Sequence, residues 1–171
     1  MTRRRWLTLL VGLGLAALAW PSVQTLPLRI VYNTSDSVPR GWYRIVPAAS
    51  LHVGSIVLVE LPADIATLAA QRGYLPERIP LLKRVGALAP QQVCIAQHVV
   101  RIDSVAVANV LHADSQARAL PVWRQCRSLH HDELFLLSVT HSASFDSRYF
   151  GPAPATAVLG TAQPLWTWSS P

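Results

Sequence analysis

The sequence predicts a mostly β domain with one short helix, preceded by a single N-terminal transmembrane helix. Three observations carry this. Residues 6–28 hold no charged side chain and follow Arg3, Arg4 and Arg5. Beyond them, short apolar runs recur between Gly, Pro and polar breaks, the pattern of strands and turns. Only residues 62–71 space their apolar side chains as a helix does.

A chain of 171 residues has room for one domain with a sizeable core. The division it suggests is a basic tip and anchor at residues 1–25 and an exported domain at 26–171. The net charge of +6 comes from fifteen basic residues, of which Lys83 alone is a lysine. The arginines past residue 5 are scattered singly, without the stripe that nucleic-acid binding favours, so no nucleic acid is expected as a partner.

A helix needs ~20 residues, with a range of about 17–25, to cross the hydrocarbon, so the first segment is adequate but short. The three arginines place the N-terminus in the cytoplasm, and Trp6 and Trp20 stand at the two ends where indole rings favour the interface. A cleaved signal peptide is the rival reading, with Ala17-Leu18-Ala19 as its cleavage site. Pro21 fits poorly after such a cut. On both readings the remainder is exported. The two cysteines, Cys94 and Cys126, agree, since thiols in an oxidising compartment can pair. His130-His131-Asp132-Glu133 resembles a ligand cluster, but adjacent residues of a strand face opposite ways, and a solvated turn is expected. No metal or cofactor is implied.

In order, strands are expected at 26–32, 42–46, 56–61 and 81–85, with Pro62 opening and Gly73 closing a helix over 62–71. The β pattern continues at 93–96, 99–102 and 105–111. Residues 112–120 read as loop, 134–139 as a buried strand, 142–151 as a polar loop, and 157–168 as the closing strand or strands.

Between the first two strands lies Asn33-Thr34-Ser35-Asp36-Ser37-Val38-Pro39-Arg40-Gly41, a tight polar turn. Such a turn serves as an ordinary loop, or holds a Ser hydroxyl outward beside a backbone N–H, as a nucleophile and its oxyanion donor require. Lys83 sits in the apolar run Leu81-Leu82-Lys83-Arg84-Val85. Desolvation there would lower its pKa and let a neutral amine take a serine proton, which the always-charged arginine does not do. Its alternative is a surface position on an edge strand.

With these residues, the chain resembles the type I signal peptidases of family S26. The turn Ser35-Asp36-Ser37-Val38-Pro39, then Leu82-Lys83-Arg84-Val85, then Ser144-Phe145-Asp146-Ser147-Arg148-Tyr149-Phe150-Gly151 are similar to three boxes of that family, in its order. The shape of the first box and the ending Gly160-Thr161-Ala162-Gln163-Pro164-Leu165-Trp166 resemble the conjugative-transfer, TraF-type branch. The resemblance implies Ser37 as nucleophile, Lys83 as general base, Ser35 as an oxyanion donor beside the Ser37 N–H, and Ser144 as the residue orienting the lysine. It implies Asp146 and Arg148 as paired structural charges. Two boxes depart: Ala89-Pro90-Gln91-Gln92 stands where a Pro-Gly-Asp turn is common, and Ser138-Val139-Thr140-His141 replaces Gly-Asp-Asn.

The implied activity is that of a Ser/Lys serine endopeptidase in the bacterial inner (cytoplasmic) membrane, single-pass, with its catalytic domain in the periplasm. Its partners would be membrane lipid and the leader or signal segment of an exported precursor, such as a conjugative pilin. A general secretory signal peptidase and a non-enzymatic periplasmic assembly protein are the rival readings. His52, His98, His112, His130, His131 and His141 are the alternative bases.

Overall fold

Tyr43, Val57 and Val85 are fully buried on three different strands of one sheet, and the polar boxes are hung on that apolar frame. The structure, a computed structural model, describes Trp6 and residues 10–15 and 30–168. Its strands are β1 (Ile30–Asn33), β2 (Arg40–Val46), β3 (Ile56–Val59), β4 (Leu81–Leu88), β5 (Gln92–Ala96), β6 (Val99–Ile102), β7 (Val105–Asn109), β8 (Cys126–Ser128), β9 (Glu133–Leu136), β10 (Ala153–Pro154) and β11 (Val158–Trp168). Helix α1 spans Ala63–Gln71 and the single turn α2 spans Ser147–Phe150. A mostly β fold with few helices is therefore what the chain adopts.

The strands form a seven-stranded antiparallel sheet in the order β1-β2-β11-β3-β4-β9-β10 and a four-stranded sheet in the order β7-β6-β5-β8. Strand β4 pairs with β3 on one side, with Val57 opposite Lys83, and with β9 on the other. Lys83 is thus interior to the sheet, which decides against the edge-strand reading.

Local chemistry explains the elements. In β2 the exposed Trp42 and Arg44 alternate with the buried Gly41 and Tyr43, as a half-buried strand requires. Gly41 has φ 137°, and a Cβ there would lie 2.1 Å from the Trp166 carbonyl oxygen. Only glycine lets β11 come this close to the end of the polar turn. Pro62 precedes α1, Asp64 lies in its first turn, and Gly73 follows with φ 70°.

One apolar cluster, around Val38, Tyr43, Leu58, Leu82 and Ala162, buries the end of the polar turn. A second underlies β3, β4 and β9 through Val57, Val59, Val85, Leu134 and Leu136. A third joins the small sheet to the main one through Val93, Val100, Phe135, Leu137 and Tyr149. Cys94 and Cys126 are register partners on β5 and β8 and form a disulfide across 32 residues. Closing a loop of that length is worth about 3–4 kcal/mol in the chain-entropy account.

Two expectations change. The segment read as a polar loop at 142–151 contains α2 and is largely buried, because Asp146 caps the turn and its charge is paired inside. The strand expected over 134–139 ends at Leu136, with one further bond from the Leu137 N–H to the Arg84 carbonyl, and Val139 is exposed. At 130–133 the solvated turn forms as expected, with His130, His131 and Asp132 exposed, while Glu133 is taken up by Arg127 in a two-pronged ion pair. The expected anchor lies mostly outside the described residues. Trp6 and residues 10–15 are helical, and among the described residues no helix is long and apolar enough to cross a membrane.

Candidate active site

The polar turn after β1 is tied at many points, and each tie fixes Ser37. Asn33 accepts from the Ser35 N–H and hydroxyl through Oδ1. Its Nδ2 donates to the carbonyls of Ser35, Val38 and Pro39 at 2.8, 3.0 and 3.1 Å. Tyr43, fully buried, donates its hydroxyl to the Pro39 carbonyl at 2.6 Å. Asp36 and Arg40 form a two-pronged pair across the exposed side of the turn. From the far side, the Ser138 hydroxyl donates to the Ser37 carbonyl at 3.0 Å.

Lys83 reaches this turn from β4. Its Nζ is hydrogen-bonded to both Ser37 Oγ and Ser144 Oγ, which lie 3.1 Å from each other. The lysine is 2% exposed. Burial lowers its pKa to about 8, opposed by the attraction of Asp146 and reinforced by the repulsion of Arg148. A neutral amine is therefore accessible in mildly alkaline solution. It faces a serine hydroxyl whose proton it can accept.

Asp146 and Arg148 support this triangle without touching it. Arg148 Nε and Nη2 donate to the two Asp146 oxygens at 2.8 and 2.9 Å, and both side chains are inaccessible. Arg148 also donates to the Ser142 carbonyl at 3.1 Å and the Ser144 carbonyl at 2.9 Å. Asp146 accepts in addition from the Ser138 N–H at 3.0 Å. One buried ion pair thus holds the backbone at Ser144 and at Ser138, both of which hydrogen-bond to Ser37.

All four expected groups line or border one cleft of about 880 Å³, with Ser35, Ser37, Lys83 and Ser144 on its surface. Ser35 is exposed at the rim with its hydroxyl turned to Asn33. Two contributors escaped the sequence reading. Ser138 stood only as a departure from a family box, and Asn33 only as the start of a turn. The one available signal was the side-chain amide at the head of a Ser/Asp/Pro/Gly turn, a position where Asn habitually binds its own backbone.

The family model described as signal peptidase, peptidase S26 matches residues 3–168. A Sinorhizobium fredii protein named "Probable conjugal transfer protein TraF" is 34% identical over 98% of this chain and 94% of its own length. A conjugal transfer protein TraF of Agrobacterium tumefaciens is 35% identical over 80% of this chain and 81% of its own. A plasmid transfer protein TraF of Escherichia coli is 29% identical over 80% and 82%. A signal peptidase I from Enterococcus faecalis covers 66% of this chain and 96% of its own at 17% identity and a TM-score of 0.38. The coverage of 3–168 and the identities above 30% establish that the chain belongs to the signal peptidase family, peptidase S26.

Proposed function

We propose that the protein is a membrane-anchored serine endopeptidase that removes the leader of an exported precursor, in the service of conjugative transfer. The single observation that carries this reading is the buried Lys83–Ser37–Ser144 triangle on the surface of an open cleft. Neutral Lys83 takes the Ser37 proton as Oγ attacks the scissile carbonyl, after a small residue. The developing oxyanion is met by the Ser37 N–H and by the Ser35 hydroxyl, which must turn to it from Asn33 Oδ1. Lys83 then returns its proton to the leaving amine, leaving an acyl-enzyme on Ser37. Water resolves it; where the cut instead releases a C-terminal segment, the acyl group is the retained chain, and its own N-terminal amine can attack the ester, free Ser37 and close a ring.

The likeness to TraF proteins of conjugal and plasmid transfer supports a pilin-type precursor over many secretory substrates. The Ser37/Lys83 pair speaks against a purely assembling role. Anchoring by residues 1–25, with the domain in the periplasm, is supported by the uncharged stretch 6–28 behind three arginines. An exposed aromatic row adds to it: Tyr32, Trp42 and Trp166 are register partners on β1, β2 and β11, at the sheet edge nearest that stretch in the chain. Amphipathic rings of this kind favour the lipid headgroup level.

Incubation of the purified protein with a panel of leader peptides tests the reading. Cleavage of a pilin leader alone is expected, cleavage of many leaders would favour the general peptidase, and cleavage of none would leave the assembly protein. Mass spectrometry of the membrane fraction is expected to find the N-terminal segment attached, and a mature chain beginning at Trp20 would remove the anchor.

A further inference from the structure

One wall of the cleft is made by two segments far apart in the chain, the α1–β4 connection at 72–80 and the loop after β7 at 110–120. Three links fasten them. Arg72 Nη1 donates to the Ala119 carbonyl at 2.8 Å, and Arg118 Nη2 donates to the Arg72 carbonyl at 2.9 Å. The Tyr74 hydroxyl donates to Asp114 Oδ2, while the Arg118 guanidinium lies 5.5 Å from the Tyr74 ring centre.

Asp114 is the centre of the fastening. It accepts from four donors: Tyr74 Oη, Arg118 Nε at 2.7 Å, and the backbone N–H groups of Gln116 and Arg118 at 2.9 Å each. Its side chain is only 7% exposed although it sits on a loop. A surface turn needs no acid buried in this way. Across the wall, the Tyr74 ring meets Phe145 at 5.0 Å, and Phe145 stacks parallel on Tyr149 at 5.8 Å. Phe145 directly follows Ser144. Tyr74, Asp114 and Leu120 line the same cleft as Ser37 and Lys83.

Released from Asp114, the Tyr74 ring would gain rotamer freedom and, of the three links, the two segments would keep only the Arg72–Ala119 and Arg118–Arg72 bonds, leaving the cleft next to Ser144 freer to widen. We propose that Asp114 is a specificity-determining positioning residue, whose hold on Tyr74 and Arg118 sets the width of the cleft beside Ser144 and so rejects substrate segments that are bulky there. This rests on the peptidase reading, but the clasp itself does not. Asp114 touches none of the reacting atoms.

The test uses the full-length protein and leader peptides in which a small residue near the cut is replaced singly by leucine or phenylalanine. Asp114→Asn loosens the clasp, and Tyr74→Phe removes one hydrogen bond while keeping the ring and the fold. Both variants are expected to lower the ratio of kcat/KM for small over bulky peptides by about tenfold. The rate on the best small peptide should stay within roughly threefold of wild type, whereas a merely structural role would lower both rates together. Hydrogen exchange is measured alongside, and Tyr74→Phe should raise it in 74–80 and in 112–120 together. An unchanged ratio in folded variants overturns the specificity role, and a rise confined to 74–80 overturns the clasp. A wild-type protein that cleaves no leader removes the peptidase reading and the specificity role with it, and exchange still decides the clasp.

Discussion

Arg148 and Asp146 form a two-pronged ion pair at 1% and 0% side-chain exposure, and the same guanidinium holds the carbonyl of Ser144. The pair therefore belongs to the site's geometry as well as to the core. Charges so placed are satisfied only by each other and by the backbone around them, which makes removal of one partner severe.

Asp146→Asn leaves the Arg148 charge buried without its counterion. Destabilisation of about 3–5 kcal/mol is expected in denaturant unfolding, with loss of the ordered Ser144 backbone and of activity. A variant of wild-type stability would show that the pair is dispensable.

Ser144→Ala removes one of the two hydroxyls that hold Lys83 Nζ. Lost orientation of the base should lower kcat by roughly ten- to a hundredfold, the equivalent of about 1.4–2.7 kcal/mol, without unfolding the protein. The fall should be smaller than for Ser37→Ala, which on the proposed mechanism removes the nucleophile.

The lysine also links stability to pH. Its pKa falls from 10.5 in the unfolded chain to about 8 in the folded one, with burial the largest cause. Below about 8 both states hold the proton, and folding carries the whole cost of burying the ammonium. Between about 8 and 10.5 the unfolded chain keeps a proton that the folded one has released, so stability rises with pH. Lys83→Met has no such dependence. From pH ~7.5 to ~9.5 the wild type should gain about 2 kcal/mol on that variant in paired denaturant titrations. Parallel curves would mean the lysine is not desolvated.

Local chemistry left Ser37 and Lys83 open: a turn of Ser, Asp, Pro and Gly also serves as an ordinary loop, and the one lysine among fourteen arginines could stand on a sheet edge. The order of the three boxes, through the family resemblance, singled the two residues out. The strands were legible by their apolar runs, though their grouping into two sheets was not. Strands β5 and β8 lie side by side with β6 and β7 between them in the chain, and nothing local records such a pairing. Ser138 was hidden for the same reason, since its hydroxyl meets the Ser37 carbonyl across 101 residues of sequence. Helix α2 escaped because four residues carry no helical period. Asp146 and Arg148 could be read as a pair, but the backbone carbonyls that Arg148 gathers belong to the folded loop alone.

The most direct measurement is the activity of Lys83→Arg on a cleaved leader, beside Ser37→Ala and wild type across pH 6 to 10. Arginine keeps the charge and much of the bulk but does not give up its proton. If Lys83 is the general base, Lys83→Arg should be as inactive as Ser37→Ala, because the two residues act as one unit. The wild-type rate should rise through pH about 8, where the neutral amine becomes the main form. A folded Lys83→Arg protein that cleaves at near wild-type rate would contradict the Ser37/Lys83 mechanism and return the role of base to a histidine.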